Sequence, residues 1–297
     1  MKFVTTSQVR ALREAQPAAI TLDVRIAEAY ENEHLAGAMN GCVFLSSFLQ
    51  DVRRLLPDPH QPVIVYGAGP DSLESTEAAR HLDAAGYEQV HNFVGGMAEW
   101  KGEGLPTVGS GRTTEPPPLE GSLPVDLRET RIEWTGRNLL NKHCGTLSLT
   151  SGTLEFRENW LVGGELVIDL TTLRCTDIAD PTLNRMLVAH LASPDFLDSA
   201  HFPEARVVIR KTSPTPNGRP GSPNLELLCD LTLRGITKPV PVVAVAGRTP
   251  EGRIAAQALL VFDRTEFGSA YGSGRFFRQL GQHLVNDQVE IQVRLLA

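Results

Sequence analysis

Cysteine is scarce. Cys42, Cys144, Cys175 and Cys229 are spread over 297 residues with no C-x-x-C pair among them, which points to free, mostly buried thiols in a reducing compartment. Long apolar runs are also missing. The longest lies near residues 239–246 and is broken by proline, whereas a membrane span needs roughly 20 apolar residues. No apolar stretch follows Lys2, so no secretory signal is read and the cytoplasm is the expected compartment. Positive charge is in deficit: the formal net charge is −7, which disfavours nucleic acid and anionic membrane surfaces as partners of the chain as a whole. The nucleotide P-loop pattern G-x-x-x-x-G-K-[ST] does not occur. What remains, 41% hydrophobic and 21% charged residues, is the balance of an ordinary globular protein, and the length suggests two domains.

A break in texture falls between Thr107 and Leu123. Glycine, serine and the triple proline Pro116-Pro117-Pro118 dominate it and apolar periodicity is lost, as in a semi-stiff linker. Before it, short apolar runs (19–24, 62–66) alternate with helix-like segments such as 72–85, where Ser75, Ala78, Ala79, Leu82 and Ala85 share a face. That rhythm predicts an α/β parallel sheet. After it come stretches of period two, at 164–170, 205–210, 225–233 and 288–295, with one helical insert at 181–192. These predict an antiparallel sandwich or barrel. The expected division is residues 1–108, a linker at 109–122, and residues 123–297.

The first part carries Asp23-Val24-Arg25, Glu28, and His34-Leu35-Ala36-Gly37-Ala38-Met39-Asn40, then Gly86-Tyr87, Gly95-Gly96, Trp100, Gly104 and Pro106. In order and spacing these resemble the rhodanese signatures, with Glu33 where the pattern has glycine. The resemblance implies a rhodanese-like sheet and a cysteine persulfide in the loop after the central strand, where converging amides and a helix N-terminus favour a thiolate. Here that loop reads Gly67-Ala68-Gly69-Pro70-Asp71-Ser72, with Gly67 at the cysteine position. Glycine has no nucleophile, so the persulfide cannot form there. The loop is then a plain strand-to-helix turn, or still a cradle for a small anion, in which a cysteine placed at 67 has a lowered pKa. Cys42 lies in a different loop and reads as structural, with unconventional sulfur transfer as the alternative. Asp23 and Arg25 read as a structural pair holding the strand end.

The second part carries Ile132-Glu133-Trp134-Thr135-Gly136, His143-Cys144-Gly145, His190-Leu191-Ala192-Ser193-Pro194-Asp195-Phe196-Leu197-Asp198, Cys229–Lys238 and Phe262-Asp263-Arg264-Thr265-Glu266-Phe267-Gly268. These ordered motifs resemble the YceI-like family. The resemblance implies a mainly-β, lipocalin-like antiparallel barrel of about eight strands holding an elongated apolar ligand of the polyisoprenoid, quinone or fatty-chain type. Trp134, Phe156, Phe196, Phe202, Phe262 and Phe267 either line a cavity or fill a solid core. His143 and His190, with Asp177, Asp180 and Asp195 around the insert, either meet a ligand head group, hold a metal, or are caps and surface residues; no H-x-x-x-H or H-x-H spacing favours a metal. Asp263-Arg264 reads as a turn pair. Residues 271–277 read as a flap whose Arg275 reaches a head group.

These readings favour binding of a long-chain apolar small molecule, without a cofactor or metal, over catalysis. The degenerate rhodanese-like part would dock a protein partner or regulate. The alternative is an enzyme, working through Cys42 or through His143 and His190. Polar groups are expected at one end of the cavity only, because a charge deep inside is costly to desolvate. An exposed linker predicts that limited proteolysis cuts first at Arg112 and yields two stable fragments, read by intact mass.

Overall fold

The structure, a computed structural model, describes residues 1–111, 117–216, 221–249 and 251–297. The chain forms two compact units, Met1–Glu115 and Pro116–Ala297. Arg112 and its expected cleavage lie outside the described residues. Among the described residues, no helix is long and apolar enough to cross a membrane.

The first unit runs β1 (Lys2–Phe3), α1 (Thr6–Ala15), β2 (Ile20–Asp23), α2 (Ala27–Asn32), β3 (His34–Leu35), β4 (Met39–Asn40), α3 (Phe48–Leu55), β5 (Val63–Tyr66), α4 (Glu74–Ala84), β6 (Val90–Phe93), α5 (Gly96–Gly102) and β7 (Thr107–Val108). Its sheet has the order β1-β6-β5-β2-β4, every pairing parallel, and β3 pairs with β7 alongside. The central strand β5 is buried throughout because a parallel sheet is covered on both faces. Its side chains alternate. Val63 and Val65 join Leu22, Val52, Ala79 and Leu82 on one face, while Ile64 and Tyr66 join Val9, Leu35, Phe93 and Trp100 on the other. Arg25 Nη2 lies 2.6 Å from Asp23 Oδ2 and donates at 2.6 Å to the Glu33 carbonyl, so the pair pins the end of β2 to the turn before β3. Burial works against the Arg25 charge, but the Asp23 carboxylate overcomes it and raises the guanidinium pKa.

The second unit runs β8 (Gly121–Pro124), β9 (Arg131–Arg137), β10 (Lys142–Arg157), β11 (Trp160–Cys175), α6 (Pro181–Ala192), β12 (Glu204–Pro214), β13 (Leu225–Leu233), β14 (Ile236–Arg248), β15 (Ile254–Asp263) and β16 (Gln288–Leu296). Gly121 and Ser122, placed in the linker by the sequence, open β8. The sheet order β11-β12-β13-β14-β15-β16-β9-β10 closes on itself through a β10–β11 pairing, giving an eight-stranded antiparallel barrel with β8 laid against the end of β10. Turns fit the chemistry. Glu158 and Asn159, at φ of 50 and 66°, form the two-residue turn into β11, and Arg234-Gly235, at 51 and 71°, form the turn into β14. Helix α6 starts where Asp180 accepts from the Thr182 and Leu183 amides, with Pro181 in its first turn.

Alternating strand directions put the β9–β10 turn, α6, the β13–β14 turn and residues 264–287 at one rim of the barrel, here the α6 rim. The ends of β10, β12 and β14 lie at the opposite rim, with residues 117–120. Asp263 and Arg264 do not pair with each other as a turn pair. Asp263 accepts from the Thr265 amide at 2.8 Å. Arg264 is buried and donates to the carbonyls of Asn286, Ser269 and Val285 at 2.9, 2.7 and 3.2 Å.

Candidate functional site

The barrel encloses a cavity of about 630 Å³. Its wall follows from period two. From β13 the residues 225, 227, 229, 231 and 233 face in, and from β15 the residues 254, 256, 258, 260 and 262 face in, whereas Leu259 and Val261 between them are exposed. The wall is mostly Leu, Ile and Val, with the small side chains of Ala205, Ala244, Ala256 and Ala258 set among them. The interior is therefore hollow, not a solid core.

Most of the aromatic residues singled out from sequence line it. Trp134, Phe156, Phe196 and Phe262 do, and the Trp134 Nε1 donates to the Arg174 carbonyl at 3.0 Å. Phe267 does not: it is fully buried beneath Phe262, edge to face at 5.5 Å, and packs as core. Phe202 is outside the lining and packs against the turn at Gly235, where a Cβ would lie 3.1 Å from its ring. Arg275 is also outside it. Its guanidinium is exposed, 4.0 Å from Asp263 and over the Phe276 ring, so the flap carries it away from the cavity.

His143 and His190 both line the cavity at the α6 rim, each with its own carboxylate. His143 Nδ1 lies 2.9 Å from Asp177 Oδ2, and His190 Nε2 lies 3.3 Å from Asp195 Oδ2. Of the two readings of Asp195, cap or member of a histidine–carboxylate set, the contact with His190 favours the second. His190 also packs edge-on against the rings of Phe196 and Tyr271, with centroids at 5.0 and 4.7 Å. Among the described residues, no group of three or more His, Cys, Asp or Glu side chains is placed to hold a metal ion.

Polar lining is found at both rims, not at one. Arg137, Asn138, Tyr271 and Asn286 join the histidines at the α6 rim, while Asn159, Trp160, Asn224 and Arg248 stand at the other. A strand barrel has two ends, and hydrogen bonds cross the second. Arg248 donates to the Pro117 carbonyl at 2.7 Å and to Asn159 Oδ1 at 2.9 Å, and the Leu119 amide donates to the same Oδ1 at 2.8 Å. Between the rims the lining is apolar, as the cost of desolvating charge requires. Sequence reasoning missed these residues because each is a lone polar side chain at a strand end. Asn159 in the turn position and Arg248 ending an alternating strand are the only signals they leave.

Local electrostatics follow from the contacts. Partial burial pushes the Asp177 carboxyl up. Hydrogen bonds from the Cys144 amide, His143 and the Cys175 thiol outweigh it and hold its pKa at about 2, against an ordinary 3.8. Burial, with Asp230 adding to it, pushes the cavity-lining Cys229 thiol up to about 11. Burial lowers the Arg264 pKa, with Asp287 and Asp263 opposing.

In the first unit, the Gly67 loop leaves β5 and enters α4, with the Gly67 and Ala68 carbonyls held by the Met97 and Ala98 amides at 3.0 and 2.9 Å. Gly96 has φ of 53°, and a Cβ there would strike the Gly67 carbonyl at 2.4 Å, so glycine is required for this contact. The loop joins strand to helix, and its Ala68 amide is not open to an anion. Glu74, the first residue of α4, accepts from the Ala68 amide at 2.7 Å, and a Cβ on Gly67 would lie 2.5 Å from its Oε2. A carboxylate of the chain itself stands where the loop would offer its amide to an anion. Cys42 is half-buried in the separate loop after β4.

Two outcomes follow. Cyanolysis of thiosulfate should stay at the no-enzyme level in the chain as it stands. In Gly67→Cys the thiol should titrate above an ordinary cysteine, because it faces the Glu74 carboxylate, and Gly67→Cys combined with Glu74→Gln should bring it below. Alkylation rate against pH reads both midpoints, and equal midpoints would sink the role given to Glu74. For Asp177, whose folded pKa is depressed, the stabilisation is complete above 3.8 and lost as pH falls through about 2. Carboxyl NMR titration should place the midpoint near the lower figure; a midpoint at 3.8 or above refutes the hydrogen-bonded arrangement.

Residues 5–103 match the rhodanese-like domain family and residues 124–297 the YceI-like domain family. The thiosulfate sulfurtransferase GlpE of Coxiella burnetii is 32% identical over 82 residues, 28% of this chain and 71% of that protein. A UPF0312 protein of Pseudomonas fluorescens is 34% identical over 90 residues, 29% of this chain, and the match spans about half of that relative's length, 46%. Among solved structures, a polyisoprenoid binding domain from Saccharophagus degradans covers 60% of this chain and 98% of its own at 13% identity and a TM-score of 0.44. The chain belongs to the YceI-like family by its barrel, and it carries a rhodanese-like domain ahead of it.

Proposed function

We propose that the barrel binds an elongated apolar molecule of the polyisoprenoid, quinone or fatty-chain type. The rhodanese-like domain docks a protein partner or regulates, without catalysing sulfur transfer. The cytoplasm is the compartment. The observation that carries this reading is the cavity, about 630 Å³ with an apolar wall between two polar rims. That volume falls within the roughly 300–1,000 Å³ of sites for small molecules. An apolar chain there displaces no strong polar contact, and its burial contributes about 25 cal/mol per Å² before the costs of association. A modest head group finds partners at the α6 rim, where Arg137, His143, His190 and Tyr271 come together. The enzymatic alternative would use His143 and His190 as bases oriented by Asp177 and Asp195, but among the described residues neither ring is hydrogen-bonded to a serine, threonine or cysteine side chain.

Native mass spectrometry of protein purified without detergent should show a co-purifying mass of long-chain type. Two neighbouring substitutions then separate the cavity from the outer wall. Ala258→Trp fills the middle of the barrel and should lower the affinity for a fluorescent fatty-acid probe at least ten-fold. Leu259→Trp, one residue along and facing out, should leave it unchanged. Equal affinity in both variants would place the probe elsewhere and end the carrier reading.

A further inference from the structure

The α6 rim carries an apolar surface that the cavity does not absorb. Leu139 and Leu140 in the β9–β10 turn, Leu183 and Met186 on α6, and Phe276 and Phe277 in the 264–287 segment are all 48–72% exposed. They come from three separate pieces of chain that are tied into one end. Asn138 bridges to Val285, the Asn286 amide donates to the Arg137 carbonyl at 2.9 Å, and Tyr271 packs on His190 of α6. Exposed apolar side chains in such a group mark an interaction surface.

Charge at this rim is mixed: Asp263 lies 4.0 Å from Arg275 and Asp287 3.7 Å from Arg264, and among the described residues Glu266 is exposed and forms no ion pair, while free cations stand next to the exposed apolar residues themselves. The carboxylates Asp177, Asp195 and Glu290 are engaged by His143, His190 and Arg137, and Asp180 by the first amides of α6. Among the described residues, Lys142, Arg185 and Arg278, interspersed with the exposed apolar residues, form no ion pair. The cavity-lining side chains of His143 and His190 stand at the same rim, 34 and 39% exposed. Bulky apolar side chains beside unpaired cations are the composition that settles at the boundary between lipid head groups and acyl chains.

We propose that the α6 rim docks on an anionic lipid bilayer, with Leu139, Leu140, Leu183, Met186, Phe276 and Phe277 entering the interface and Lys142, Arg185 and Arg278 meeting lipid phosphates. This places the cavity mouth against the phase in which a long-chain ligand is dissolved, so the ligand passes without crossing water. The inference rests on the apolar-ligand reading for its purpose, but its test does not. The net charge of −7 opposes membranes only for the chain as a whole, and screening beyond about 8–10 Å leaves the local charge to decide.

The test is flotation of the full chain with vesicles of phosphatidylcholine alone and of phosphatidylcholine with phosphatidylglycerol. The chain should float with the anionic vesicles, and less at high salt. Phe276→Ser with Phe277→Ser should reduce the bound fraction at least ten-fold, and Lys142→Glu with Arg278→Glu should do so on anionic vesicles. Both pairs are exposed, and an unchanged melting temperature checks the fold. Absence of flotation, or flotation untouched by both pairs, overturns the proposal. So does a dimer dispersed by the phenylalanine pair without vesicle binding, which assigns the surface to a second copy. Ala258→Trp keeps the two readings apart: its cavity is blocked, yet it should float as the parent does.

Discussion

Strand β10 is hydrogen-bonded to β9 along its first half and to β8 near its end, and its other edge meets β11. That last pairing converts an open sheet into a barrel and leaves no edge within it to recruit another chain. It also decides what the inside looks like, because eight strands leave an interior that side chains nearly fill or that holds one small ligand. The pairing is irregular. Opposite Thr146 to Ser148 the partner runs from Arg174 to Asp169, and further shifts follow at Leu149/Ser151 and Glu155/Phe156. The bulges reset the alternation: His143 and Leu147 line the cavity from odd positions of β10, Leu154 and Phe156 from even ones. Thr172 repairs the break by accepting from the Ser148 amide at 2.9 Å.

Arg264 does for the α6 rim what the bulges do for the wall. A buried guanidinium is tolerated only where its donors are satisfied, and here three backbone carbonyls and Asp287 at 3.7 Å surround it. Two of those carbonyls, of Val285 and Asn286, belong to the segment that returns to β16, and the third, of Ser269, to the segment leaving β15. The arginine thus clamps both ends of a long connection, and its cation also sits over the Phe196 ring at 5.4 Å. Tyr271, in the same connection, packs against His190 with ring centroids at 4.7 Å. The polar character of this rim is therefore built into how the connection folds, before any ligand is considered.

Much of this was readable in the sequence where a period or a turn carries it. Residues 181–192 were read as a helix and are one, because Asp180 and Pro181 announce its start. Strand 225–233 shows which face turns inward, and the two classes of sheet are separable by rhythm alone. The aromatic residues were harder. Phe262 and Phe267 sit in the same motif, yet one lines the cavity and the other packs behind it, since Phe267 lies past the strand in a short helical turn where alternation no longer holds. Arg264 looked like half of a turn pair because sequence shows adjacency to Asp263 but not the distant carbonyls. The hydrogen bonds across the opposite rim are illegible for the same reason: Arg248, Asn159 and Pro117 are far apart in the chain.

The Gly67 loop shows how a missing residue differs from a missing function. Sequence alone establishes that no nucleophile stands at 67, and would be satisfied by an empty cradle. An unpaired amide in a loop that leads into a helix, however, attracts negative charge. In a rhodanese-type loop with a cysteine, the thiolate meets that demand and keeps its reactivity in doing so. Here the Glu74 carboxylate meets it from the first turn of α4, in a space that only a glycine at 67 leaves open. A carboxylate accepts the hydrogen bond as well as sulfur does but transfers nothing. Glycine and glutamate are thus one arrangement: each makes room for, or depends on, the other, and together they fix the loop as a closed internal contact. Restoring a cysteine alone would put two anions in one place, which is why the loss of the thiol is held in place by its surroundings and not by a single position.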